Sequence, residues 1–191
     1  MNIMIMSVLV FMMSALPVFA GERGAETKGF RAQQKAKVKE FNEQIRSENK
    51  EFHRSLKGMS KEDKANALKV HKEGQVEKRK DFRGTIHQEN KEFLMERLEG
   101  NKKLTDAEKA ELVSFFESQH EENAAFRDQQ HKENVEFFSN IANDPNLTVQ
   151  QKKEAIKAHR QEQKSEKKSR HQDQKSDRKE LREKLRSNDG G

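Results

Sequence analysis

Phenylalanine returns at a fixed step along this chain. Phe30, Phe41 and Phe52 lie eleven residues apart, as do Phe82 and Phe93, and Leu104, Phe115, Phe126 and Phe137 keep the same step. Eleven residues make three helical turns plus about 20°, so each series lines one face of a straight or slightly right-handed helix. Four residues after these rings stand Gln34, Ile45, Ile86, Gln119, Gln130 and Ile141. Eight after them stand Val38, Asn49, Asn90, Asn123 and Asn134. The seam therefore reads Phe, Ile or Gln, Asn, and it carries polar layers. A buried amide without a partner costs about 1–3 kcal/mol, so facing amides are expected to pair and set register, as a buried Asn does in coiled coils.

Three punctuation marks divide the pattern. Lys57-Gly58-Met59 leads to Ser60 and Asp63. Gly100-Asn101 leads to Leu104-Thr105 and Glu108. Asn143-Asp144-Pro145-Asn146 leads to Leu147-Thr148 and Gln151. Each reads as a helix stop followed by an N-cap; the last two are full capping boxes, and an apolar residue (Met59, Leu104, Leu147) precedes each cap as a staple. No stretch alternates with the period of a strand. The prediction is an all-α fold of about four long antiparallel helices at 28–57, 60–99, 105–142 and 148–187, elongated and hairpin- or bundle-like. Residues 28–142 form a three-helix hendecad region. The fourth helix keeps only Leu181 and Leu185 as large apolar residues beyond Ile156, and it reads as a highly charged, largely solvated element.

One phrase recurs within the seam: RSENKEF at 46–52, HQENKEF at 87–93, HEENAAF at 120–126 and HKENVEF at 131–137. Its Phe and Asn are the seam residues already described. Phe82, Phe93, Phe115, Phe126 and Phe137 are the candidate rungs for holding an apolar partner. Asn49, Asn90, Asn123 and Asn134 are the candidate polar layers.

Composition narrows the chemistry. Residues 1–20 are uncharged and apolar and end in Val18-Phe19-Ala20, which predicts a signal peptide and a periplasmic or secreted protein. Residues 21–27 and 188–191 read as a flexible start and a disordered tail. Cysteine is absent, which excludes a lipoprotein, a disulfide scaffold and a thiol enzyme. Charged residues make up 38% and hydrophobic residues 31%, which leaves only a thin apolar seam to bury. There is no phosphate-cradling glycine loop, nucleophile elbow or HExxH, so no enzyme is expected. The net charge of +6 is interleaved with acids, and no aromatic platform accompanies the basic last helix, so nucleic acid is not an expected partner. That helix suits contact with an anionic surface, and the Phe stripe on amphipathic repeats suits a membrane surface as an alternative. Glu117–His120, Asp128–His131 and His159–Glu162 have the spacing of a single-helix chelate, each needing ligands from another helix, and His120 and His131 are the candidate metal ligands. Arg46 in the fourth copy of the phrase supports a plain polar role instead, and no metal or cofactor is expected.

Leu147-Thr148-Val149-Gln150-Gln151 matches the LTxxQ motif of the Spy/CpxP family, and Leu104-Thr105-Asp106-Ala107-Glu108 resembles it with Glu for Gln. The resemblance covers these two motifs and the exported, cysteine-free, basic, helical character. It implies a small periplasmic protein that forms cradle-shaped dimers and shelters unfolding clients or takes part in envelope stress sensing. The four long helices and the Phe hendecads depart from the family's pattern. The resulting expectation is an exported, non-enzymatic helical binding protein that holds unfolded or apolar segments on its Phe rungs. The alternative is a self-associating envelope spacer.

Overall fold

The computed structural model describes residues 23–188, so the signal peptide expected at 1–20 and the tail expected at 188–191, apart from the helical Asn188, lie outside the described residues. Four helices follow one another: α1 (Arg23–Ser55), α2 (Lys61–Glu99), α3 (Asp106–Asn143) and α4 (Val149–Asn188). No strand occurs among the described residues. The expected boundaries hold within about two residues except at the start. Residues 23–27, read from sequence as flexible, belong to α1, where Thr27 is buried and Glu26 pairs with Arg97 at 2.6 Å.

The caps are those the sequence announced. Ser60 Oγ accepts from the Asp63 amide at 3.1 Å. Thr105 and Glu108 satisfy each other's backbone amides reciprocally. Thr148 and Gln151 do the same at 2.8 and 3.3 Å. Such a cap contributes about 1 kcal/mol. Gly58 takes φ +82°, a left-handed turn that a side chain would resist, and so ends α1 after its last helical turn. Asp144 accepts from the Asn146 amide at 2.8 Å and shapes the turn between α3 and α4.

The chain falls into two units, 23–101 and 102–188 within the described residues, and each is an antiparallel helical hairpin. The sequence marked a three-helix hendecad region at 28–142 and a charged helix at 148–187 without pairing them, and the pairing is α1 with α2 and α3 with α4. α4 is mostly exposed, yet Gln163, Gln174, Arg178 and Leu185 on it are buried. The amide layers of α3 need polar partners, and the charged helix supplies them. Off the hendecad, Leu94 and Leu98 are buried in the first hairpin and Leu112 and Phe116 in the second, where Leu104 of the eleven-step series is also buried. Phe116 at 4% exposure, rather than the half-buried seam residue Phe115, is the most enclosed ring.

Candidate functional site: the aromatic ladder

In the first hairpin the predicted rings meet across the helices. Phe30 stacks on Phe93 and Phe41 on Phe82, each with centroids 4.0 Å apart and planes within 5°. The third rung is mixed: Phe52 stacks on His71 at 3.8 Å. Each step of eleven down α1 is a step of eleven back along α2, so the shared period locks an antiparallel register. Between rungs, Gln34 donates to Glu89 at 2.7 Å and Gln75 to Glu48 at 2.9 Å. Ile45, at 2% exposure, fills the layer between the second and third rungs. Lys78 and the neighbouring amides of Gln44 and Gln75 hold the Glu48 carboxyl below the usual carboxylate range. Lys37 and Gln34 do the same for Glu89.

The second hairpin repeats this plan with other side chains. Phe137 stacks on His159 at 4.0 Å, and the Arg170 guanidinium lies over the Phe126 ring, 5.1 Å from its centroid. The same step puts Leu181 level with Phe115. His71 and His159 each stand eleven residues after an N-cap, Ser60 and Thr148. Gln119 donates to Asp177 at 3.4 Å, the counterpart of Gln34 with Glu89. Lys184 meets Glu111 at 2.5 Å near the level where Arg97 meets Glu26 in the first hairpin. Two layers are exchanged as sets. Val38 and Ile86 are buried in the first hairpin. At the matching level of the second, Gln174 donates to Asn123 at 2.8 Å. Ile45 has its counterpart in Gln130, which donates to Glu166. Burial pushes the Arg178 guanidinium down, and the adjacent Asp177 opposes this.

The recurrent Glu-Asn-x-x-Phe phrase now has a geometry. Phe offers a ring face, and Asn, three residues earlier, offers its carbonyl to the group that covers the ring. His71 Nε2 lies 2.7 Å from Asn49 Oδ1 while its ring covers Phe52. His159 Nε2 lies 3.1 Å from Asn134 Oδ1 while its ring covers Phe137. The Asn134 amide nitrogen is committed to the Gln130 carbonyl and to Gln163. Asn134 Oδ1 therefore accepts, and His159 carries its proton on Nε2. Arg170 Nε donates to Asn123 Oδ1 at 3.3 Å above Phe126. The fourth copy differs. Across the hairpin Phe93 is covered by Phe30, which has no donor; the Arg97 guanidinium of its own helix also lies over the ring, 5.0 Å from its centroid, and the buried Asn90 Oδ1 has no partner.

Of the sequence-predicted site residues, Phe82, Phe93, Phe126 and Phe137 are all half-buried and engaged across their own hairpin, and Phe115 is half-buried in the same series. The Asn layers lie on the seam as read, with Asn90 buried and Asn49, Asn123 and Asn134 half-buried. His120 is half-buried and His131 exposed, and no group of three or more metal-ligating side chains gathers among the described residues. Sequence reasoning did not place His71, His159 and Arg170 over the rings that they cover. Their place on the hendecad, eleven and twenty-two residues past a cap, could have revealed them. Val135 and Phe138, at 58% and 40% exposure, stand one turn apart on α3, and Phe138 also lies edge-on to Phe137 and His159. Their counterparts in the first hairpin are the polar Lys50 and His53.

No family model, curated protein or solved structure matches the chain. No described helix is long and apolar enough to cross a membrane.

Proposed function

We propose that this is an exported, non-enzymatic helical binding protein that holds apolar segments of unfolding clients, with the hairpin at 102–188 as its working surface. One observation carries the reading. Across the hairpin, the ring faces of Phe126 and Phe137 meet the hydrophilic groups Arg170 and His159, and the apolar Val135 and Phe138 are exposed nearby, Phe138 edge-on to Phe137. The Arg170 side chain is a quarter exposed, its cation–π contact is worth on the order of 1 kcal/mol, its bonds to Asn123 and Glu122 are long at 3.3 and 3.4 Å, and both covering groups solvate well once displaced. An apolar client side chain can therefore take a ring face at small cost. Phe126 and Phe137 are ~16 Å apart along the helix. An extended segment covers that span in about five residues, so one client strand reaches both rungs. The dense charges on the same helices keep the complex soluble and speed encounter. The LTxxQ-like motifs point toward the same class of protein.

An aggregation assay tests this. The chain from Gly21 at equimolar ratio should suppress aggregation of a thermally unfolding client. Val135→Ser with Phe138→Ser should weaken that suppression severalfold while leaving circular dichroism unchanged. Absence of suppression by the unmodified chain ends the proposal.

A second reading, a structural spacer, is favoured by the first hairpin. There each seam ring is already stacked on a partner, so the seam is closed on itself. Under that reading a fluorescent apolar probe finds no binding surface on the protein.

A further inference from the structure

The Arg170 contact shows what the Glu-Asn-x-x-Phe phrase can recognise in full. The guanidinium covers Phe126, its Nε donates to Asn123 Oδ1, and its Nη2 reaches Glu122 Oε2 at 3.4 Å. A ring face, a neutral acceptor and a carboxylate thus meet one planar cation at three points. Such a set suits arginine and not lysine, because only a guanidinium is flat enough to stack while donating along its edge.

The next copy, one hendecad further along α3, presents the same three groups. Its resident His159 uses two of them, the Phe137 ring and Asn134 Oδ1. Glu133 makes its hydrogen bond within α3, accepting from Gln129 at 2.8 Å, and no bond crosses from it to α4 among the described residues. An imidazole is too short to bridge the amide and the carboxylate together. The Asn134 contact, at 3.1 Å, is also longer than its counterpart in the first hairpin, at 2.7 Å. There the equivalent carboxylate, Glu48, is engaged by Gln75 and Lys78 of the facing helix.

We infer that Glu133, Asn134 and Phe137 form a guanidinium-binding site that His159 fills in part, and that a held segment docks there through an arginine side chain. The inference rests on the proposed client-holding role and names the chemistry of its ligand. Val135 and Phe138, exposed on the same stretch of helix, receive an apolar residue beside that arginine. His159 swings into solvent as the guanidinium takes its place. Segments that combine arginine with apolar residues are then the preferred clients, and lysine-bearing ones are not.

Fluorescence anisotropy with three labelled apolar peptides, alike except for one central Arg, Lys or norleucine, tests this on the chain from Gly21. The Arg peptide should bind about fivefold more tightly than the Lys peptide. Glu133→Gln should abolish that preference and leave the norleucine peptide unchanged. Glu133 makes no cross-helix bond, so this variant keeps its fold. His159→Arg should fill the site from within, remove the preference and raise Tm by a few degrees, and Glu133→Gln should cancel that rise. Equal binding of the Arg and Lys peptides overturns the site and leaves client holding intact. Failure of all three peptides to bind overturns both. A His159→Arg variant whose Tm does not rise, or rises equally with Glu133→Gln, also overturns the site.

Discussion

The two hairpins share a register and differ in what closes it. At one level Phe41 stacks on Phe82, and at its counterpart Arg170 covers Phe126. At another, Val38 and Ile86 are buried where Asn123 accepts from Gln174. At a third, Ile45 gives way to Gln130 bonded to Glu166. In each case the change is made on both helices or is met by a partner of matching chemistry. An apolar layer gains from leaving water whatever its neighbours do, whereas an amide layer gains little net and loses much if one partner is missing. The first hairpin is therefore the firmer of the two, and the second holds its register by pairing. Both seams keep buried amide oxygens without partners, Gln34 Oε1, Gln75 Oε1 and Asn90 Oδ1 in the first and Gln119 Oε1 and Gln130 Oε1 in the second, so the contrast rests on the apolar layers. The lesson is that a hendecad specifies a geometry, and that the side chains placed on it decide how tightly that geometry is held.

Three experiments press on this contrast. The largest effect is expected at the Ile45 layer. Ile45→Ala should cost about 2–5 kcal/mol by leaving a cavity in the first hairpin, whereas Gln130→Ala in the second should cost under about 1 kcal/mol because half of its amide is already unpartnered. Chemical denaturation of the two variants compares them directly, and equal losses would remove the distinction between the hairpins.

Next in size is the exchanged layer. Asn123→Val alone strips the acceptor from Gln174 and Arg170 and should destabilise by about 1–3 kcal/mol. Combined with Gln174→Ile it rebuilds the Val38 and Ile86 layer, and the double variant should recover the loss or exceed wild type. Strict additivity of the two substitutions in denaturant melts would show that the layers are not equivalents.

The smallest effect is electrostatic and belongs to the first hairpin. Lys78 and Lys37 hold Glu48 and Glu89 below the ordinary carboxylate range. A depressed folded value means that the stabilisation is fully present above the unfolded carboxylate pKa of about 4.3. It is lost as pH falls through the lower folded values. Each pair is partly exposed and contributes on the order of 1 kcal/mol or less. Melting temperature followed from pH 7 downward should therefore fall in that acidic window. Lys37→Met with Lys78→Met should flatten the fall, and an unchanged acid limb would show that these pairs contribute nothing.

Much of the fold was legible before the structure. Thr105 with Glu108 and Thr148 with Gln151 are capping boxes that any helix start can use, so helix boundaries followed from neighbouring residues alone. The eleven-residue step marked the seam of α1, α2 and α3, and Phe41, Phe82 and Asn134 lie on it as read. The candidate site was half legible. Its rings and amides were named, but the groups that cover them, His71, His159 and Arg170, were hidden because polar residues at seam positions look like surface in a charged helix. The buried pair Leu112 and Phe116 was missed because it follows a spacing of four beside the dominant step.

The sequence by itself determined the helices, their ends and the buried seam of the first three, because caps depend on neighbouring residues and the seam on spacing within one helix. Only the tertiary structure decided that α3 pairs with the charged α4, and that each Asn-x-x-Phe unit receives His, Arg or Phe from across the hairpin. A buried face states what a helix must cover and leaves open which helix will cover it. That choice belongs to donors and acceptors from distant parts of the chain, and their match is tested only when two helices meet.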